Sequence, residues 1–130
     1  MKLLLDTHVL IWALSDYLRL PEKIIDLISD SSNEIYVSVA SLWEIAIKHK
    51  KKPNEMFFTA EEIRNYCQRA GYIFLSLSID NVTTFEKIDF SMSSDPFDQI
   101  LISQSVSNNM KLITHDYKIK SVGVGNIEYF

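Results

Sequence analysis

The chain has 130 residues, 47% of them apolar and 23% charged, with three glycines and three prolines. That length suffices for one domain with a buried core, so no disulfide or structural metal is needed to hold it together, and the composition excludes disorder and a turn-rich all-β chain. A formal net charge of −4 excludes a protein that grips nucleic acid mainly through a broad basic face.

In chain order, the leucines of residues 2–5 predict a first strand, and after Asp6, Thr7 and His8 a helical pattern runs over residues 9–14. The stretch 3–14 imitates a leader, but Asp6, Thr7 and His8 interrupt it and no small-residue cleavage site follows. Its longest unbroken apolar run, residues 9–14, is too short to span a bilayer. A cytoplasmic protein with no membrane partner is expected.

A helix is predicted over 21–29, a strand over 34–37 and a helix over 39–50. The last ends among Lys48, Lys50, Lys51 and Lys52, which read as a solvated helix end favoured by the helix dipole. Residues 50–56 then read as a flexible connection. Thr59 before Ala-Glu-Glu-Ile forms a capping box for a helix over 60–70. Cys67, the only cysteine, lies in that helix as a core residue, and its solitude fits a reducing compartment.

A strand over 73–77 precedes a helix over 81–87, with Asp80 as its expected cap, and residues 89–94 form a second flexible connection. Asp95-Pro96 supplies a cap and a first-turn proline for a helix over 96–110. Strands over 112–114 and 127–130 finish the chain. Alternating strands and helices predict one α/β domain over 1–130. Its sheet is largely parallel, helices cover both faces, and ligands bind beyond the carboxyl ends of the strands.

The acidic residues fall where such a crevice forms. Asp6 ends the first strand and Asp116 follows the strand over 112–114, so both leave the sheet at one edge; each also suits a helix cap. Glu44 is the only charged side chain between Glu34 and Lys48, inside Val-Ala-Ser-Leu-Trp-Glu-Ile-Ala-Ile, and a carboxylate buried there needs a partner. Lys48, four residues on, is one candidate, as an ordinary helical ion pair. Asp98 lies in the first turn of its helix; if Asp95 caps, Asp98 is free to face the crevice.

Four such acids without matching cations would raise one another's pKa values unless a cation intervened. Oxygen-only ligands select a hard ion, Mg²⁺ or Mn²⁺, and that chemistry suits phosphodiester hydrolysis with one ion or two. Thr7 and Thr114 are placed to hydrogen-bond neighbouring carboxylates as auxiliary groups. His8, Trp12 and Trp43 are expected in the core, as aromatic residues in apolar segments generally are.

These motifs resemble the PIN-domain family, specifically the VapC-type ribonuclease toxins of toxin–antitoxin pairs. The resemblance runs through Leu-Leu-Asp-Thr-His-Val-Leu-Ile-Trp, Ser-Leu-Trp-Glu-Ile-Ala-Ile-Lys, Asp-Pro-Phe-Asp-Gln-Ile-Leu-Ile and Leu-Ile-Thr-His-Asp, in that order over nearly the whole chain. It implies a three-layer α/β/α sandwich and a metal-dependent endoribonuclease, with Asp6, Glu44, Asp98 and Asp116 as metal-binding residues and Asp95 as an auxiliary acid or cap. It also implies an RNA substrate, an antitoxin partner and a homodimer. The chain departs from that family's common pattern at Lys50-Lys51-Lys52-Pro53, Ser93, Gln99, Ser103 and Ser105, all outside the four acids.

Three other readings compete. A haloacid-dehalogenase-like phosphatase needs a second Asp two positions after the first, where His8 stands. A nuclease using His8 or His115 would require histidines that more often pack or hydrogen-bond. A catalytically silent module that binds RNA or protein would share the fold, because fold does not fix function.

Overall fold

The computed structural model describes residues 1–91 and 93–130. Five strands, β1 (Lys2–Leu5), β2 (Glu34–Ser38), β3 (Ile73–Leu75), β4 (Lys111–Thr114) and β5 (Asn126–Tyr129), form one sheet in the order β3-β2-β1-β4-β5. Every neighbouring pair is parallel; Leu3 sits opposite both Ile35 of β2 and Lys111 of β4. The chain builds outward from β1 through β2 to β3, then returns to the other side of β1 for β4. That reversal leaves a crevice beyond the carboxyl ends of β1 and β4, where doubly wound sheets bind ligands.

The helices are α1 (Thr7–Ser15), α2 (Glu22–Ser29), α3 (Val39–Lys51), α4 (Ala60–Ala70), α5 (Ile79–Glu86), α6 (Pro96–Ser107) and α7 (Tyr117–Val122), with a 3₁₀ turn at Tyr17–Arg19. The alternation of side chains along a strand divides the core between two faces. Leu3 and Leu5 join Val9, Leu10, Ile24, Ile45, Ile63 and Cys67 from α1 to α4. Leu4 joins Leu101, Ile102 and Ile119 from α6 and α7, and α5 packs on α6. Since Leu3, Leu4 and Leu5 are all fully buried, β1 is apolar on both sides, as a central parallel strand must be. The result is the three-layer α/β/α sandwich. Among the described residues, no helix is long and apolar enough to cross a membrane.

Several boundaries differ from the sequence reading for identifiable reasons. The helix expected to reach residue 110 stops at Ser107, because Asn109 takes a left-handed conformation (φ 53°). The Met110 and Asn109 N–H groups then donate to the Ser105 and Val106 carbonyls, a Schellman ending. β3 ends at Leu75, since Ser78, not Asp80, caps α5: its hydroxyl accepts from Asn81 N, and the Asn81 side chain accepts from Ser78 N. α3 continues to Lys51, and the Glu55 and Met56 N–H groups donate to the Lys52 carbonyl, so much of the 50–56 connection is a folded turn. α7 was not predicted; it is six residues long and has a single buried side chain, Ile119, too little to show a period. The predicted 89–94 connection includes Met92, which lies outside the described residues.

Candidate active site

Two of the acids stand at neighbouring strand ends. The Asp6 N–H continues the ladder by donating to the Ile113 carbonyl at 3.0 Å, which brings its carboxylate beside β4. There the buried Thr114 hydroxyl donates to Asp6 Oδ2 at 2.7 Å and accepts from the Asp116 N–H at 2.9 Å. One hydroxyl therefore ties the β1 acid to the backbone of the β4 acid. Although Asp6 occupies the N-cap position of α1, its side chain makes no capping bond. Asp116 does cap, its Oδ1 accepting from Lys118 N at 2.8 Å, and the residue lines the crevice.

The remaining acids enter on helices. Ser38 caps α3, and that helix buries Ser41, Glu44 and Ile45 along one stripe. Glu44 is 6% exposed. Its Oε1 accepts from the Thr7 hydroxyl at 2.7 Å and its Oε2 from Lys48 Nζ at 2.8 Å, while the Ser41 hydroxyl lies 3.0 Å from Thr7 Oγ1. Asp95 caps α6 through Phe97 N and Asp98 N. It thereby relieves Asp98, in the first turn, of that task.

The electrostatics of this edge are those of crowded carboxylates. Burial pushes the Asp98 carboxyl up to about 7, aided by the charges of Asp95, Asp6, Asp116 and Glu44. Burial also raises Asp6, against the lowering effect of the Thr114 bond and of His8. Glu44, Asp98 and Asp116 thus line one hollow with Asp95 at its rim, and Asp6 lines an adjoining one that shares Asp116, while Thr7 is bonded to Glu44 and Thr114 to Asp6. Among the described residues, however, no three Asp, Glu, His or Cys side chains already stand as a ready metal shell. The all-oxygen donor set suits a hard cation that keeps several of its waters; the Lys48 ammonium on Glu44 is the cation already there.

Two expected core residues are elsewhere. Trp43 is 66% exposed; it lies two residues from both Ser41 and Ile45, hence on the opposite side of α3. His8 is exposed and lines the crevice. Trp12 is half-buried against the core, with Arg19 over its ring at 4.7 Å and His115 at its edge. Cys67 is fully buried as expected. The sequence reading did not single out Ser41, Phe97 or Lys118. Ser41 had a signal, its place three residues before Glu44 on one helix face; Lys118 had none, lying in a helix too short to recognise.

A doubly wound parallel sheet with carboxylates gathered at its switch point is the class defined by fold and site. The model of the PIN domain matches residues 3–125, and the chain belongs to that family. Among solved structures it is similar to VapBC2 from Rickettsia felis bound to a fragment of promoter DNA, at 15% identity and a TM-score of 0.73 over 99% of this chain and 98% of that one. DNA-bound VapBC from Salmonella typhimurium is similar at 17% identity and 0.72, over 99% and 98%. VapBC-5 from Mycobacterium tuberculosis, of the VapBC family of toxin-antitoxin systems, is similar at 16% and 0.59, over 99% and 97%. At such identities the likeness is one of fold. No curated protein sequence matches the chain.

Proposed function

We propose that the chain is a Mg²⁺- or Mn²⁺-dependent endoribonuclease and the toxin of a toxin–antitoxin pair. The observation that supports it most is Asp98, buried and pushed up to about 7 where the charges of Asp95, Asp6, Asp116 and Glu44 meet. Membership of the PIN family and the fold shared with VapBC proteins support the choice of substrate and partner. Asp6, Glu44, Asp98 and Asp116 would hold one ion or two. When bound, such an ion supplies Lewis-acid chemistry, making water a nucleophile near neutral pH and offsetting charge on the scissile phosphate.

The chain's own residues orient. Thr114 fixes the direction of the Asp6 carboxylate, Thr7 that of Glu44, and Asp95 holds the α6 terminus that presents Asp98. In the hydrolysis the water oxygen bonds to phosphorus opposite the bridging oxygen, the P–O bond to that oxygen breaks, and the proton lost by the water balances the one taken up by the leaving oxygen. An antitoxin protein would silence the site by covering this crevice. A second copy would bury the exposed Leu77, Ile79, Val82 and Phe85 around α5, and the cytoplasm is where the RNA would be met.

One observation favours a silent binding module instead: the acids are not preassembled as a metal shell, and Lys48 already neutralises Glu44. Brief induction of the wild-type chain and of Asp98→Asn in cells, followed by mapping of new RNA ends, decides between them. Discrete ends produced only by the wild type are expected. Identical RNA in the two cultures, with both proteins folded and no antitoxin present, would leave the binding module standing.

A further inference from the structure

Four positions at which the chain departs from the common pattern of its family, Ser93, Gln99, Ser103 and Ser105, lie in α6 or just before it. In the fold three of them are joined. Gln99 Nε2 donates to the Ser93 carbonyl at 2.9 Å, and the Ser103 hydroxyl donates to the Gln99 carbonyl at 2.7 Å. A carbonyl only accepts, so the nitrogen of the Gln99 amide is the atom that must face Ser93. Ser105 turns away and donates to the Ile102 carbonyl at 2.8 Å.

Gln99 follows Asp98 in the first turn of α6. Successive residues of a helix point about 100° apart, so while Asp98 lines the acidic hollow, Gln99 is turned from it toward an apolar hollow of about 270 Å³ that it lines with Leu77, Pro96 and Ile100. Every polar part of Gln99 is engaged. Its N–H donates to the Asp95 carbonyl at 3.1 Å, its carbonyl holds Ser103, and its side chain reaches back to Ser93.

Ser93 is a firm anchor for that side chain. It is buried, and its own N–H donates to the Phe90 carbonyl at 2.9 Å. The Phe90 ring stacks on Phe85 with centroids 5.3 Å apart and packs on the core formed by Leu4, Leu101 and Ile102. A continuous path of bonds and contacts thus runs from that core through Phe90 and Ser93 to the residue that follows Asp98. On the other flank, Asp95 Oδ1 accepts from the Phe97 and Asp98 N–H groups. Asp98 is thereby held from both sides. The charges of Asp95, Asp6, Asp116 and Glu44 all act on it, and their repulsion drives the end of α6 away from the sheet edge unless it is tied.

Taking Asp98 as a ligand of the ion, as the nuclease reading has it, we propose that Gln99 is its positioning residue: the bond to Ser93, braced by Ser103, fixes the first turn of α6 so that the Asp98 carboxylate reaches the ion. Gln99 acts through Asp98 and touches neither ion nor substrate. Ser93, Gln99 and Ser103 work as a set.

The test pairs Mn²⁺ binding, by calorimetry at pH 8, with amide order parameters of the metal-free protein from NMR relaxation. Gln99→Met keeps the length of the side chain and removes its donor. Loss of a group that orients a metal ligand weakens binding by about tenfold or more, so this variant should bind Mn²⁺ about tenfold more weakly than the wild type while still unfolding cooperatively. In it the order parameters of Phe97, Asp98 and Gln99 should fall from the rigid range near about 0.85 toward the mobile range below about 0.6, with the rest of α6 unchanged. Gln99→Lys, whose ammonium can still donate to the Ser93 carbonyl, should restore the order of that turn. Ser103→Ala removes the brace alone and should weaken Mn²⁺ binding in the same direction by less.

Unchanged Mn²⁺ affinity in Gln99→Met would overturn the role, leaving the bond to Ser93 as a contribution to stability only. So would a loss of order spread through the whole domain, which would make the weaker binding a general loosening. A wild type that binds no Mn²⁺ removes the nuclease reading instead, and the tie on the Asp98 turn is then decided by the order parameters: loss confined to residues 97–99 keeps it, and no loss removes it.

Discussion

Lys48 Nζ lies 2.8 Å from Glu44 Oε2, and the Thr7 hydroxyl holds the other oxygen at 2.7 Å. Glu44 therefore has both oxygens committed before any ion arrives, and an ion that uses it competes with an ammonium tethered on the same helix. Lys48→Met should tighten Mn²⁺ binding measured by calorimetry. It should also cost the metal-free protein about 1–2 kcal/mol, since a buried carboxylate loses a partner whose own side chain is partly solvated. Weaker Mn²⁺ binding in the variant would mean that Lys48 supports the site.

Asp98 makes the stability of the metal-free chain depend on pH. Its carboxyl is pushed up to about 7 in the fold against 3.8 for the ordinary group, so between these values the folded state keeps a proton that the unfolded state has released. Stability from this group falls as pH rises through that window and is lowest above it. Asp98→Asn should therefore melt above the wild type at pH 8 in EDTA, with the gap closing toward pH 4. An equal gap at both values would falsify the assignment. Because ions compete with that proton, Mg²⁺ should raise the wild-type melting temperature more at pH 8 than at pH 6.

Thr114 is fully buried and bonds both Asp6 Oδ2 and the Asp116 N–H. Thr114→Val keeps its shape and strips a partner from the buried Asp6 carboxylate and the part-buried Asp116 N–H, so urea denaturation should show a loss of about 1–3 kcal/mol. Thr114→Ser should recover most of it. A valine variant as stable as the wild type would show that water replaces the hydroxyl at no cost.

Cys67 is fully buried and its thiol is pushed up to about 11 by burial. Its reaction with an aromatic disulfide reagent should be negligible in the native protein and complete in urea. Rapid native reaction would place it at a surface that α4 does not show.

The sequence made β1 and β4 and their acids legible because each of these strands runs into a chemically marked residue: Asp6 after three leucines, Asp116 after Leu-Ile-Thr-His. The caps at Thr59 and Asp95 also follow from residue type alone. Trp43 was misplaced because composition near Glu44 is apolar on every side of α3, and only packing shows which stripe is covered. The end of α6 was missed because Asn109 in a left-handed turn leaves the apolar pattern unbroken through Met110. For Glu44 the ion pair with Lys48 and the place in the crevice stood as alternatives; the structure contains both at once.

The bond from Thr114 to Asp6 joins residues 108 positions apart. During vectorial synthesis Asp6 leaves the ribosome well before β4, the neighbour that completes its edge of the sheet. A nascent chain lacking that strand has no crevice, whatever acids it already displays. Translation thus imposes its own safeguard: the acidic edge is completed only once β4 has emerged to join β1.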